Sequence, residues 1–304
     1  RSRTARDGPH LNACISDPGM PSAQEFASDM LKVSPTNALK LFYRLCVLTD
    51  VPKPVIVAKT AKASAKAIRA GDSTLEGTGP LQDLADRWYE SLATGDPDYG
   101  VYEAPMYLAE AYACWAVYSR TYLRAIEKPT SLPPYGVARD LNYPSRIVDL
   151  GCGIGFSTAG LAQLFPWAKV TGTNVPDCAQ TRIAEHVARR YPSGPPRFDI
   201  IGELSEYGGG PVCLVFASEY FEHFQQPVSH LNEVISELDP EAFLIANTFT
   251  NPSIGHFPYY EVDGNQLVGA QVSRAFNHEL RRSGYKNVRT KMWNNRPAYW
   301  KKEV

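Results

Sequence analysis

Residues 141–304 alternate short apolar runs with stretches that carry apolar positions at helical spacing. Runs rich in β-branched residues are typical of buried strands, and the stretches between them predict amphipathic helices. The predicted strands are 147–149, 168–173, 198–202, 212–217 and 242–248, and the predicted helices include 156–165, 227–238 and 271–283. Strands that alternate with helices in this way indicate a doubly wound, mostly parallel sheet. The predicted fold class is therefore α/β and Rossmann-like.

The end of the chain predicts an antiparallel hairpin. Segments 288–293 and 297–300 flank Asn294-Asn295, which favours a tight turn. Basic and aromatic residues alternate through this region. Strand alternation, with aromatic rings inward and charges outward, accounts for the pattern, and phosphate contact with base stacking is the alternative.

The first 140 residues predict a different organisation. Residues 1–24 are rich in Pro, Gly, Ser and Asp and predict a mobile leader. Residues 25–140 predict a helical N-terminal domain or lid, which precedes the sheet domain 141–304. Its predicted helices lie within 25–50, with one start at Ser34-Pro35, and at 81–92 and 106–127.

Charge adds little to this picture. The chain has 304 residues, enough for about two domains, and a net charge of −1, which favours no class of partner. One stretch is locally basic, because residues 55–70 hold Lys59, Lys62, Lys66 and Arg69 and no acid. A solvated helix face accounts for these charges, and a nucleic-acid contact is the alternative.

The cysteines and the apolar runs bear on the compartment. None of the six cysteines forms a C-x-x-C pair, which predicts free thiols in a reducing compartment and no structural zinc. The sequence shows neither a signal-peptide pattern nor an apolar run long enough to span a membrane. We therefore expect a cytoplasmic protein with no membrane contact.

The strongest chemical signal is a strand that runs through closely spaced glycines into a helix. Asp149 closes the first predicted strand, Gly151, Gly153 and Gly155 follow, and a helix starts at Phe156. Glycines permit positive φ and a close ligand approach, and the helix N-terminus offers free N–H groups. A dinucleotide fingerprint has the spacing G-x-G-x-x-G, whereas the spacing here is G-x-G-x-G after an aspartate. A carboxylate there attracts a cationic amino-acid tail and repels a pyrophosphate.

The run Val148-Asp-Leu-Gly-Cys-Gly-Ile-Gly155 resembles motif I of the class I S-adenosylmethionine (SAM) dependent methyltransferases. The resemblance implies SAM as the cofactor. In that superfamily an acid after the second strand binds the ribose, an acid after the third contacts the adenine amino group, and an N-terminal segment often covers the site. The residues to which the resemblance gives these roles are Asp149, Gly151, Cys152, Gly153, Gly155, Asn174, Glu203 and Tyr102.

Asn174 departs from the superfamily pattern, which has an acid at this place. An amide accepts one hydrogen bond and donates another, but it lacks the charge-assisted strength of a carboxylate. Weaker SAM binding therefore stays open, and so does a SAM-binding scaffold that transfers no methyl group. Asp177, three residues later, is an alternative ribose ligand or a helix cap.

The fourth predicted strand delivers Glu219, Glu222 and His223 to its carboxyl end, where ligands bind in open parallel sheets. The run Ala217-Ser-Glu-Tyr-Phe-Glu-His-Phe-Gln-Gln-Pro227 resembles the E-x-x-E-H segment of small-molecule methyltransferases, with ubiquinone-pathway O-methyltransferases as the nearest type. The resemblance implies that the three residues are catalytic and that they hold Mg²⁺, Mn²⁺ or Zn²⁺. The alternative is that Glu222 and His223 only cap the next helix.

A second candidate base lies further along the chain. Residues 251–266 predict a loop after the fifth strand, placed to overhang the transferred methyl group. His256 lies in this loop and is therefore a candidate general base, with a plain surface histidine as the alternative.

Two nucleic-acid signatures are absent from the sequence. No Asp/Asn-Pro-Pro-Tyr/Phe follows the fourth strand, and no Pro-Cys pair occurs there, since Cys213 lies inside the strand. We therefore predict a SAM-dependent methyltransferase that moves the sulfonium methyl to an O, N or C nucleophile of a small molecule. Methyl transfer to a nucleobase and a non-catalytic SAM-binding scaffold are the alternatives. No pattern specifies the acceptor or an oligomeric state.

Overall fold

The computed structural model describes residues 30–54, 79–127, 136–190, 198–250, 253–292 and 296–303. Three predicted features lie outside these residues: the leader 1–24, the basic stretch 55–70 and the turn Asn294-Asn295.

One seven-stranded sheet organises the molecule. The strands in the described residues are β1 Arg146–Leu150, β2 Lys169–Thr173, β3 Phe198–Ile201, β4 Leu214–Ser218, β5 Ala242–Ala246, β6 Tyr260–Val262, β7 Asn265–Leu267, β8 Tyr285–Val288 and β9 Ala298–Lys302. The order in the large sheet is β3-β2-β1-β4-β5-β9-β8. Strands β1 to β5 pair in parallel, and β9 pairs antiparallel with both β5 and β8. This topology confirms the predicted mostly parallel sheet that ends in an antiparallel hairpin.

Helices precede the sheet and connect its strands. They are α1 Pro35–Leu48, α2 Gly79–Thr94, α3 Tyr107–Cys114, α4 Arg120–Ile126, α5 Val137–Asp140, α6 Phe156–Leu164, α7 Ala179–Arg190, α8 Pro227–Leu238 and α9 Gly269–Arg282. Among the residues described, no helix combines the length and the apolar character needed to cross a membrane.

The core follows from the apolar runs. Every residue of β4 and β5 is buried, as are all residues of β1 except Arg146. Central strands of a parallel sheet are covered on both faces, so their sequences are continuously apolar rather than alternating. The helix starts also follow the sequence: α1 is capped by Ser34, whose Oγ accepts from the Asn37 N–H, and α8 begins at Pro227.

The structure differs from the sequence prediction in three places. The hairpin strand predicted over 288–293 lies earlier in the chain, as β8 at Tyr285–Val288. The helix predicted over 106–127 is interrupted by a π-helical stretch, Trp115–Ser119, between α3 and α4. The segment 251–266, predicted as a loop, contains the hairpin β6–β7, whose turn is formed by Asp263 and Gly264 at φ of 50° and 74°. Both turn residues are left-handed, as a tight two-residue hairpin turn requires.

The N-terminal helices pack against the carboxyl edge of the sheet. The Ser119 hydroxyl, at the end of the π-helical stretch, donates to the Ser218 hydroxyl at 3.1 Å. The Trp88 indole N–H on α2 donates to the His256 carbonyl at 2.8 Å. The helical segment therefore lies over the edge at which parallel sheets bind ligands. A domain boundary near residue 140 stays a prediction.

Candidate functional site

A cavity of about 970 Å³ lies at the carboxyl ends of β1 to β4. Part of its lining comes from Gly151, Cys152 and Gly153, which belong to the segment 151–155 after β1 that we call the glycine loop. Another part is the aromatic wall, made of Tyr99, Tyr102, Tyr107 and Trp115. The predicted site residues that line the cavity are Tyr102, Gly151, Cys152, Gly153, Asn174, Glu203, Glu219 and His223. Those outside the lining are Asp149, Gly155, Glu222 and His256.

The three glycines of the loop have positive φ but different surroundings. A Cβ on Gly151, at φ 65°, would lie 2.5 Å from the Tyr220 ring, so the glycine lets that ring close over the loop. Around Gly153, at φ 55°, the nearest atoms would lie 3.8 Å or more from a Cβ, so this backbone is open to the cavity. A Cβ on Gly155, at φ 79°, would lie only 2.9 Å from the Ala184 backbone. Gly155 therefore brings α6 and α7 together and does not face a ligand.

Asp149 is turned away from the cavity. Its Oδ2 accepts hydrogen bonds from the hydroxyls of Ser157 and Thr158, both at 2.7 Å. Burial raises the pKa of Asp149 to about 7, although the two hydroxyls act in the opposite direction. The carboxyl group thus ties the end of β1 to the first turn of α6, and no direct contact with a ligand in the cavity follows from its position.

Asn174 links the glycine loop to the end of β2. Its Nδ2 donates to the Gly153 carbonyl at 2.6 Å, and its Oδ1 accepts from the Val175 N–H at 3.0 Å. A carboxylate here would lack the donor that holds Gly153. Glu203 lies on the exposed rim, where the Ser205 hydroxyl donates to its carboxylate at 3.4 Å.

The three predicted metal ligands at the end of β4 diverge. Glu219 and His223 line the cavity, but Glu222 is fully buried behind them and its Oε1 accepts from the Thr248 N–H at 2.8 Å. Within the described ranges no three His, Cys, Asp or Glu residues form a group that could hold a metal ion. The metal site predicted at Glu219, Glu222 and His223 therefore does not fit the side-chain arrangement.

His223 instead pairs with the aromatic wall. The Tyr102 hydroxyl lies 3.0 Å from His223 Nδ1, and the ring centroids of His223 and His256 are 4.8 Å apart. Gly255, at φ 81°, makes room for this pair, because a Cβ there would overlap the Tyr102 hydroxyl and lie 2.5 Å from His223 Nδ1. Burial raises the pKa of Tyr102 well above its ordinary value, so the phenol keeps its proton.

A second tyrosine–histidine pair was not predicted. The Tyr220 hydroxyl lies 2.9 Å from His230 Nε2, and His230 Nδ1 lies 2.9 Å from the Glu233 carboxylate. All three residues line the cavity. The spacing of His230 and Glu233, three residues apart in the helix 227–238, was the available sequence signal, because such residues are neighbours on a helix surface. Tyr220 lies ten residues before His230, and no sequence pattern indicates that the two side chains meet.

Comparison with known proteins supports the fold. No family model matches the chain, and no curated protein matches its sequence. Among solved structures, the mitomycin 7-O-methyltransferase MmcR is 14% identical, with 90% of this chain and 74% of MmcR covered and a TM-score of 0.50. Human N-acetylserotonin methyltransferase in complex with SAM is 16% identical over 87% of this chain and 83% of its own, with a TM-score of 0.46.

The match to EvdMO1 is shorter. It covers 54% of this chain and 38% of EvdMO1, at 15% identity and a TM-score of 0.38. The similarity to MmcR shows that this chain shares the fold of that structure.

Proposed function

We propose that this chain is a SAM-dependent methyltransferase that moves a methyl group to an O, N or C nucleophile of a small molecule. The observation that carries the proposal is the shared cavity, in which a glycine loop after β1 and an aromatic wall line the same space. Its fold is that of MmcR, which is named a mitomycin 7-O-methyltransferase.

The cavity fits SAM at the end formed by β1 to β3. Gly153 presents open backbone at positive φ, and the Cβ of any other residue would project into that space. Asn174 Oδ1 has a second lone pair that suits a ribose hydroxyl, and Glu203 on the rim suits the adenine amino group. When bound, SAM supplies an electrophilic methyl group on a sulfonium.

The chain's own residues orient the acceptor and receive its proton. The aromatic wall excludes water from one side of the cavity and offers flat surfaces against which an acceptor packs. His223 is the proton acceptor, because it is the imidazole that both lines the cavity and is held by the Tyr102 hydroxyl. In the tautomer that acts as the base, the His223 proton sits on Nδ1 and is donated to the Tyr102 oxygen, so that Nε2 receives the proton of the acceptor. His256 is buried and supports the His223 ring at its edge.

Two assays test this proposal in sequence. Calorimetric titration with SAM is expected to show micromolar binding by the intact protein. Incubation with methyl-labelled SAM and cell extract, with and without nuclease, then identifies the class of acceptor. Label on small molecules supports the proposal, label lost on nuclease treatment supports a nucleic-acid substrate, and binding without transfer supports a scaffold.

A pair of glycine variants makes the titration specific. Gly153→Ala and Gly95→Ala place the same methyl group on backbone with φ of 55° and 77°, and neither side chain meets a close neighbour. Each is expected to lose about 1 kcal/mol of unfolding free energy. Only Gly153→Ala is expected to lose SAM affinity, by tenfold or more. Equal SAM affinity in the two variants would contradict the assignment of the glycine loop.

A further inference from the structure

The glycine loop faces the helical segment made of α3 and the π-helical stretch after it. The Ala111 methyl carbon on α3 lies 3.9 Å from the place that a Cβ on Gly153 would take. One turn later, the Trp115 ring meets the ring of Phe156, the first residue of α6, edge to face at 5.0 Å. Both Ala111 and Trp115 line the cavity. The space above the open backbone of the loop is therefore bounded by these two side chains.

Trp115 carries a buried hydrogen-bond donor at this place. The residue is 3% exposed, and its Nε1 has no hydrogen-bond partner in the part of the chain that the structure describes. An indole N–H only donates, and a buried donor that lacks an acceptor costs free energy. Buried tryptophan N–H groups usually find a partner for this reason. A ligand in the cavity that offers an acceptor to Trp115 would remove the cost.

A buried positive charge lies near the same ring. The Arg120 guanidinium is 5.6 Å from the Trp115 ring centroid. It donates to the Leu31 and Val33 carbonyls, and the residue is 8% exposed, so water screens its charge only weakly. The N-terminus of α6, which begins at Phe156, adds the positive end of a helix dipole. A negatively charged acceptor at Trp115 is therefore favoured over a neutral one.

A second polar side chain beside the loop is an amide. Gln180, the second residue of α7, lines the cavity and is 6% exposed. Its Oε1 lies 3.8 Å from the place of a Cβ on Gly153, and within the described ranges its amide makes no hydrogen bond. An amide offers both a donor and an acceptor. The zwitterionic end of an amino acid, which carries a carboxylate and an ammonium, matches this pair of functions.

Resting on the proposed function, we infer that Trp115 and Gln180 bind the amino-acid end of SAM, with the Trp115 indole N–H donated to its carboxylate. Gln180 Nε2 donates to the same carboxylate, and its Oε1 accepts from the ammonium. Hydrogen bonds to a charged group are about twice as strong as those between neutral groups, so the carboxylate contributes a measurable share of the affinity. The two residues thus select an intact amino-acid end, a role that Asp149 does not fill from its buried position.

Decarboxylated SAM isolates the inferred contact, because it keeps the adenosine, the sulfonium and the amine but lacks the carboxylate. Calorimetric titration of the wild type is expected to show at least tenfold weaker binding of decarboxylated SAM than of SAM. Trp115→Phe removes the N–H and keeps an aromatic ring. It is expected to lose about tenfold in affinity for SAM and less than twofold for decarboxylated SAM. Trp167→Phe, at a tryptophan that is 45% exposed and outside the cavity lining, is expected to leave both affinities unchanged.

Gln180→Glu is expected to give a result that misfolding does not produce. The carboxylate keeps the shape and the acceptor of the amide, but it loses the donor and adds a negative charge. It is expected to weaken SAM at least tenfold and to bind decarboxylated SAM at least as tightly as the wild type does, because the attraction to the ammonium remains. Equal losses for the two ligands in either variant, or no preference of the wild type for SAM, would overturn this inference and leave the proposed function standing. A protein that binds neither SAM nor S-adenosylhomocysteine would overturn both.

Discussion

The two ends of the cavity are built in different ways. At the glycine-loop end, the hydrogen bonds join segments that are close in the chain, from Asp149 with Ser157, eight residues apart, to Asn174 with Gly153, 21 residues apart. At the aromatic end, Tyr102 meets His223 across 121 residues. The first end is a local motif, and the second exists only after distant segments have packed together.

The two ends also place their carboxylates differently. Asp149 belongs to the glycine motif after β1 but points into the protein. Glu219 lies outside that motif, after β4, and lines the cavity. A motif aspartate can therefore serve the architecture of a site without facing its ligand. The following variants test the aromatic end and the glycine-loop end of the cavity separately.

The largest effect is expected from Gly255→Ala, which breaks the aromatic end. The new methyl group would overlap the Tyr102 hydroxyl and His223 Nδ1, on backbone with φ of 81°. We expect a loss of about 3 kcal/mol in unfolding free energy and a fall of at least tenfold in methyl transfer. Urea unfolding and the labelled-methyl assay measure the two quantities.

Gly264→Ala is the matched control for that variant. Its φ is 74°, and nothing lies within 4 Å of the new methyl group. It is expected to lose only about 1 kcal/mol and to keep full transfer activity. If the two variants behave alike, left-handed backbone strain and not the Tyr102–His223 pair explains the result.

A smaller, pH-dependent effect is expected from Asp149→Asn at the glycine-loop end. The folded-state pKa is about 7, well above the usual aspartate value of about 4. The folded protein thus holds a proton that the unfolded chain releases, and the stability contribution, complete below pH 4, is lost as pH rises towards 7. The wild type is expected to lose roughly 2 kcal/mol relative to the variant between pH 4 and 6.

Urea unfolding at several pH values measures this difference, and Asp199→Asn supplies the control. Asp199 lies on β3 with an exposed side chain, 3.2 Å from Lys169, so its ion pair contributes little. Its stability profile is expected to run parallel to that of the wild type. A parallel profile for Asp149→Asn as well would show that the buried carboxyl stays ionised without cost.

The smallest effect is expected from Glu233→Gln, which concerns the second tyrosine–histidine pair. Burial lowers the pKa of His230, and the hydrogen bond and charge of Glu233 partly offset this. Removal of the charge is expected to lower the His230 pKa further, while the amide oxygen still accepts from Nδ1. Because a lowered histidine pKa adds stability above pH 6.5 that is lost on acidification, the variant loses more stability at acid pH.

NMR titration of the His230 ring protons measures that shift directly. Glu237→Gln, one helical turn further along α8 on the exposed rim, is the matched control and is expected to leave the pKa of His230 unchanged. An unchanged or raised pKa in Glu233→Gln would contradict the role given to Glu233.

The same contrast explains how much the sequence predicts. Strands β1 to β5 lie where apolar runs predict them. The prediction is most direct for β1, β4 and β5, because central parallel strands are buried on both faces. The glycine loop is equally local. The hairpin β6–β7 was missed although Asp263-Gly264 is a hairpin dipeptide, because its strands are three residues long and β7 shows no buried alternation.

Features that depend on packing were not predictable. The π-helical stretch at Trp115–Ser119 is an alternative to the regular helical hydrogen-bond pattern, and periodicity does not distinguish the two. The side chains of Glu219 and Glu222 separate because one lines the cavity and the other is buried against the Thr248 N–H. The residue types alone suggested one metal site, and only the three-dimensional arrangement shows that the side chains diverge.

The hydrogen bond between the Trp88 indole and the His256 carbonyl has a consequence for synthesis on the ribosome. Its partners are separated by 168 residues. At a synthesis rate of about 5–20 residues per second, the second partner follows the first after an interval on the order of 10–30 s. Throughout that interval the rings of the aromatic wall and Trp88 lack their covering partner. Nascent chains stalled between residues 130 and 250 should therefore be the ones that recruit chaperones.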